Sequence, residues 1–160
     1  VYADAEAAYS HLVDHFKIAP SSIILYGQSL GSGPSVYLGK KHLVSGVIIH
    51  SGLMSAVRVL NPYLTRTPWY DVFPNIDNIK SCRSPVWVIH GYEDRIINIY
   101  HGIRLYKSAP KSISPWFVKD GDHNEIEMRF ETEYFLRLKL ALGKFERISK
   151  DSKSPHVESK

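Results

Sequence analysis

Apolar positions along the chain recur with two periods, and the switches between them mark out alternating helices and strands. Ala5, Ala8, Tyr9, Leu12, Val13 and Phe16 fall at helical spacing, which predicts a helix packed on a sheet and ended by Pro20 and the serines after it. Ile23 to Tyr26 is β-branched and apolar and predicts a short strand. The helical pattern that follows runs to about Leu43. Gly46 to His50 and Val86 to Gly91 are short runs of apolar and β-branched residues, the kind buried on both faces of a parallel sheet. Ile103, Leu105 and Tyr106 predict a helix over Tyr100 to Ser108, and Trp116 to Val118 a fourth strand. A last helix carries the stripe Ile126, Phe130, Tyr134, Leu138, Leu142 and Phe145. Strands alternating with helices predict an α/β fold with a mostly parallel sheet flanked by helices.

Two stretches break this rhythm. Ser51 to Ser84 contains Pro62, Pro68 and Pro74 with the aromatics Tyr63, Trp69, Tyr70 and Phe73, and only Asp77 to Ser81 suggests a short helix. A connection of that length is usually functional. Leaving the carboxyl end of a strand, its aromatics are placed either to roof a substrate pocket or to cover the sheet. Ser149 to Lys160 is polar, lysine-rich and aperiodic, so the expected organisation is one domain over residues 1–148 and a disordered tail over 149–160.

Composition narrows the class. With 160 residues, 44% hydrophobic and 22% charged, the chain has the makeup of one ordinary globular domain. It opens at Val1, directly in a helical pattern, and reads as part of a longer protein. Nothing reads as a signal peptide or a membrane span. The net charge of +4 is scattered, which argues against nucleic acid as a partner. The single cysteine, Cys82, excludes an internal disulfide and fits a reducing compartment. It lies in the polar stretch before a strand and reads as structural.

The chemistry concentrates around Gly27-Gln-Ser-Leu-Gly31, between a strand and a helix. That is the setting of a nucleophile elbow, a sharp turn that lifts a serine hydroxyl, here Ser29, at the carboxyl end of a parallel sheet. Glycines at 27 and 31 fit a turn in which larger residues would collide with strand and helix. The backbone N–H of Leu30 is then a candidate oxyanion donor, assisted by the positive end of the following helix.

A hydroxyl needs a base within hydrogen-bond reach, and that base needs a third group to orient it. His123, in Asp120-Gly-Asp-His-Asn124 just past the fourth strand, is the candidate base. Asp94, just past the third strand, is the candidate acid. Glu93, Asp120 and Asp122 are its rivals. His50, His90 and His101 read as structural or surface groups. No cluster has metal-ligand spacing, so no metal is required. The order Ser, Asp, His is that of α/β-hydrolases.

Beyond this general pattern, Tyr26 to Gly31, His50 to Arg58, Asp71 to Ile79, His90 to Asp94 and Gly121 to Asn124 together resemble the α/β-hydrolase domain-containing protein 17 family, across the chain to about Arg147. The resemblance implies the carboxy-terminal portion of the α/β-hydrolase fold. It also implies a palmitoyl-protein thioesterase without cofactor, with Ser29 as nucleophile, Asp94 as acid and His123 as base. The implied substrate is an S-acylated protein or lipid-like acyl ester, in the cytoplasm at the cytosolic face of membranes. In that family a cysteine-rich amino-terminal segment provides the membrane anchor, and earlier strands supply the second oxyanion donor. Both would precede Val1, so weak activity and an unpaired sheet edge are expected of these residues alone. A serine peptidase of the same fold and an inactive hydrolase-like interaction module are the alternatives.

Overall fold

The computed structural model describes residues 1–151. Its centre is a four-stranded sheet, β1 (Ile24–Gln28), β2 (Gly46–His50), β3 (Val86–Gly91) and β4 (Trp116–Val118), in the spatial order β1-β2-β3-β4 and parallel throughout. Register is set by Ile24 opposite Gly46, Val47 opposite Val86 and Ile89 opposite Trp116. With every strand running the same way, the loops leaving the carboxyl ends of β1, β3 and β4 emerge along one edge, where ligands of such sheets bind.

Helices complete the order: α1 (Tyr2–Ser10), α2 (Ser32–Lys41), α3 (Ala56–Leu60), α4 (Asn75–Asn78), α5 (Ile99–Ser108), α6 (Ile126–Arg129) and α7 (Glu131–Asp151). Because side chains alternate along a strand, the sheet feeds two cores. Leu25, Val47, Ile49, Val86 and Val88 pack with Val36 and Leu38 of α2 and Leu105 of α5. Ile48, Trp87, Ile89, Trp116 and Val118 pack with Ile126, Tyr134, Ala141 and Phe145. Burying both faces explains why β2 and β3 carry no polar alternation, and at about 25 cal/mol per Å² of apolar surface this two-sided burial is the main stabilising contribution.

The structure departs from the sequence reading at the helices. The first helix gives way to a π-helical turn over His11–His15. Of its predicted stripe only Tyr9 is buried, with Ala5 and Val13 partly so, while Ala8, Leu12 and Phe16 face outward. The wider turn rotates the later residues off the sheet. The last helix is two, broken at Phe130, whose φ of −117° and ψ of 34° leave the helical region. Its stripe survives, since Ile126, Tyr134 and Phe145 are buried. α7 also runs on through Ser149 and Lys150 to Asp151, so the boundary expected at residue 149 is not where the helix ends. The rest of the expected tail lies outside the described residues.

Candidate active site

β1 ends at Gln28, paired with His50, and the chain turns through Ser29–Gly31 into α2. Ser29 has φ of 52°. An L-residue there is strained by about 1–3 kcal/mol and stays only where its surroundings impose it. Gly27 permits the turn, because a Cβ there would run into the Gly31 carbonyl and lie 2.6 Å from Ser35 Oγ. Gly31 corrects the expectation of crowding on both sides: a Cβ there meets nothing within 4 Å, and its φ of −62° suits any residue.

The turn presents Ser29 Oγ 3.0 Å from His123 Nε2, and His123 Nδ1 lies 2.8 Å from Asp94 Oδ2. Asp94 and His123 are both buried. A carboxylate only accepts, so Nδ1 carries the proton and the Nε2 lone pair faces the Ser29 hydroxyl. Asp94 Oδ1 accepts the Ile96 and Ile97 N–H groups at 3.0 and 2.7 Å. Burial pushes the Asp94 carboxyl up, but hydrogen bonds from His123, His90 and the Ile97 N–H outweigh it and hold the group well below the usual carboxylate range.

Asp94 rather than Glu93, Asp120 or Asp122 therefore meets the imidazole. Asp122 accepts the N–H of His123 itself at 2.7 Å and that of Arg95 at 3.2 Å, and pairs with the Arg95 guanidinium. The two loops are tied further by Tyr92 N–H to Val118 O at 2.8 Å and Glu93 N–H to Gly121 O at 3.0 Å.

His50, His90 and His101 are all buried. His101 Nδ1 accepts the Met54 N–H at 3.0 Å. His50 Nδ1 bonds the Tyr26 hydroxyl at 2.7 Å, which in turn lies 3.1 Å from the Tyr134 hydroxyl. Burial pushes both histidines down to about 4. His90 Nε2 donates to Ile97 O at 2.7 Å and lies 3.2 Å from Asp94 Oδ2, a site role that the sequence reading missed. The one available signal was its position four residues before Asp94. Cys82 is buried, which pushes its thiol up, consistent with a structural residue.

The long connection only partly fits either expectation. Trp69, Tyr63 and Tyr70 are 95%, 77% and 61% exposed. Phe73 is packed over Gly33 of α2 and edge-on to Tyr2, while Tyr63 lies tilted against Tyr100 of α5 with ring centroids 5.6 Å apart. The open depression beside His123, about 430 Å³, is bounded by Arg95, Ile96, Asp122, Asn124 and Glu125, with none of the four aromatics. Among the described residues, no group of three His, Cys, Asp or Glu could hold a metal ion, and no helix is long and apolar enough to cross a membrane.

A parallel sheet flanked by helices, with a strand, strained turn and helix presenting Ser29, is the α/β-hydrolase fold. Solved structures of that fold superpose closely: an esterase from Pyrococcus furiosus has a TM-score of 0.71 at 16% identity, over 91% of this chain and 62% of the esterase. A sugar hydrolase from Lactococcus lactis reaches 0.71 at 18%, over 94% and 69%. Within the fold, the chain resembles the α/β-hydrolase domain-containing protein 17 family. It is 42% identical over 139 residues to protein 17C from Xenopus tropicalis and from Homo sapiens, covering 87% of this chain but 44% and 42% of those proteins. Protein 17B from Homo sapiens is 41% identical over the same length. The chain thus spans less than half the length of these curated relatives. No family model matches it.

Proposed function

We propose that the chain is the catalytic part of a serine hydrolase that cleaves acyl thioesters or esters, with S-acylated protein as its substrate. The observation that carries this reading is the hydrogen-bonded row from Asp94 through His123 to Ser29 at 2.8 and 3.0 Å. In it, Ser29 Oγ attacks the acyl carbon as its proton passes to His123 Nε2, and Asp94 stabilises the imidazolium. The Leu30 N–H and the amino terminus of α2 meet the negative charge on the acyl oxygen. Collapse breaks the carbon–sulfur bond, the thiol leaves with the proton from His123, and water, activated by the same histidine, then releases the carboxylic acid and restores Ser29. No cofactor enters these steps.

Thioester chemistry and the cytosolic membrane face rest on the family likeness, since the row serves an ester, thioester or amide alike. The experiment compares long- and short-chain acyl thioesters and a peptide amide on the full-length protein, with Ser29→Ala as control and a fluorophosphonate as active-site probe. Expected are labelling and thioester turnover that vanish in Ser29→Ala, and affinity that rises with acyl length by about 0.8 kcal/mol per methylene until the site is full. Comparable amide cleavage would make the protein a peptidase, and absence of labelling would make it a non-catalytic module.

A further inference from the structure

Residues 51–84, which do not roof the depression at His123, are bonded to the turn that holds Ser29. Ser32 Oγ donates to the Ser29 carbonyl at 2.6 Å and accepts the Leu53 N–H at 3.3 Å and an Asn75 Nδ2 hydrogen at 3.2 Å. Asn75 Nδ2 gives its second hydrogen to Leu53 O at 2.9 Å. Ser32, Leu53 and Asn75 are all fully buried. The hydroxyl's donor and both lone pairs are used, as are both amide hydrogens, so the network is saturated at those groups. Asn75 Oδ1 is left buried without a partner. Turning the amide over would set Oδ1 against two groups, one of them a carbonyl that can only accept, and this fixes its orientation.

Strain gathers at the same place. Ser29, Ser51 and Phe73, with φ of 52°, 47° and 54°, are three of the four non-glycine residues with positive φ among those described. They lie at the turn itself, at the start of the segment bonded to it and two residues before Asn75. Phe73 accepts the Asn75 N–H at 2.6 Å, and the Ile76 N–H reaches Met54 O at 2.9 Å, so residues 53–54 and 73–76 are drawn together under α2. Strained backbone persists where its environment over-determines it.

We propose that Ser32 and Asn75 are positioning residues for the nucleophile: resting on the serine-hydrolase reading above, they fix the Ser29 carbonyl and thereby aim Ser29 Oγ at His123 Nε2. Neither touches substrate. A change in that aim acts on turnover and spares substrate affinity.

The test measures fluorophosphonate labelling rate, kcat and KM on an acyl thioester for the full-length protein and for Ser32→Ala, Asn75→Asp and their double variant. Ile76→Val serves as a control that loosens the same segment without touching the network. Expected is a drop of about tenfold in labelling rate and kcat for each single variant, since Ser32→Ala removes the hydrogen bond to the Ser29 carbonyl and Asn75→Asp removes the donor that holds Ser32 Oγ in place. KM stays within about twofold, the double variant is no slower than the worse single, and Ile76→Val keeps wild-type rates. Should Ser32→Ala not fold, Asn75→Asp, which keeps the shape and loses the donors, decides alone. Folded variants that label at the wild-type rate, or an Ile76→Val slowed equally, overturn the positioning role. A wild-type protein that never labels overturns the hydrolase reading and this role together, so the two failures are distinct.

Discussion

His90 Nε2 lies 3.2 Å from Asp94 Oδ2, the same oxygen that His123 Nδ1 meets at 2.8 Å, so one buried carboxylate atom faces two imidazoles. The second imidazole restricts where the carboxylate can turn. Asp94→Asn, which can present an amide hydrogen where an acceptor is needed, is expected to lower kcat by about 10³–10⁴. His90→Gln should cost about tenfold in kcat with KM unchanged. Steady-state kinetics on one thioester checks both, and an Asp94→Asn enzyme of normal turnover would remove Asp94 from the mechanism.

The two glycines of the turn should respond in opposite ways. Gly27→Ala forces a methyl into the Gly31 carbonyl and Ser35, an overpacking that costs about 1–3 kcal/mol and shifts Ser29. Gly31→Ala finds open space at an ordinary φ and should stabilise by about 0.4–1 kcal/mol through the unfolded chain. Urea denaturation of the pair reads the contrast directly.

Stability should fall on mild acidification. His50 and His101 are held neutral by burial, with folded values of about 4 against an unfolded value near 6.5. Between those limits the unfolded chain binds protons that the folded chain refuses, so stability declines as pH drops from about 6.5 to 4. Asp94 acts lower: its depressed pKa contributes stability above the unfolded value near 3.9, lost as pH falls toward its folded value. Thermal melts from pH 7 to 4 should show the first decline. His101→Gln, which keeps an acceptor for the Met54 N–H, should lessen it and leave the share that His50 carries.

Trp69 stands almost free of the protein, and Trp69→Ala should leave stability within about 0.5 kcal/mol. Its KM for a long-chain thioester should match wild type, because the depression at His123 does not include it. A raised KM specific to long chains would show that this residue reaches the acyl group.

Cys82 should resist a thiol alkylating reagent until the protein unfolds, since burial both shields it and disfavours its thiolate. Hydrolysis that survives Cys82→Ala separates Ser29 from the one thiol of this sequence. Rapid modification of folded protein would contradict the packing around residue 82.

The sheet was legible because its signal is local: apolar runs at 46–50, 86–91 and 116–118 coincide with β2, β3 and β4. That Ser29, Asp94 and His123 meet was legible because each follows a strand whose direction the fold dictates. The contacts that support them were not. Asn75 reaches Ser32 across 43 residues and Met54 reaches His101 across 47, and no periodicity encodes a partner at that distance. The outward turn of Leu12 and Phe16 escaped for a different reason, since a spacing of 3.6 residues assumes an unbroken α-helix and the π-helical turn at His11–His15 is not one.

A Cβ added to Gly91 would run into the carbonyl of Gly121, so the loops bearing Asp94 and His123 meet backbone on backbone. They are tied further by bonds from Tyr92, Glu93 and Arg95 to Val118, Gly121 and Asp122. Ser29 is held separately, by the turn between β1 and α2 and by the bonds that reach Asn75. The hydrogen bond from Ser29 Oγ to His123 Nε2 at 3.0 Å links the two supports side chain to side chain. On the serine-hydrolase reading, a shift of about an ångström across that bond costs about 10²-fold in turnover with every helix and strand intact, so hydrolysis should be the first property lost on warming and the first regained on cooling.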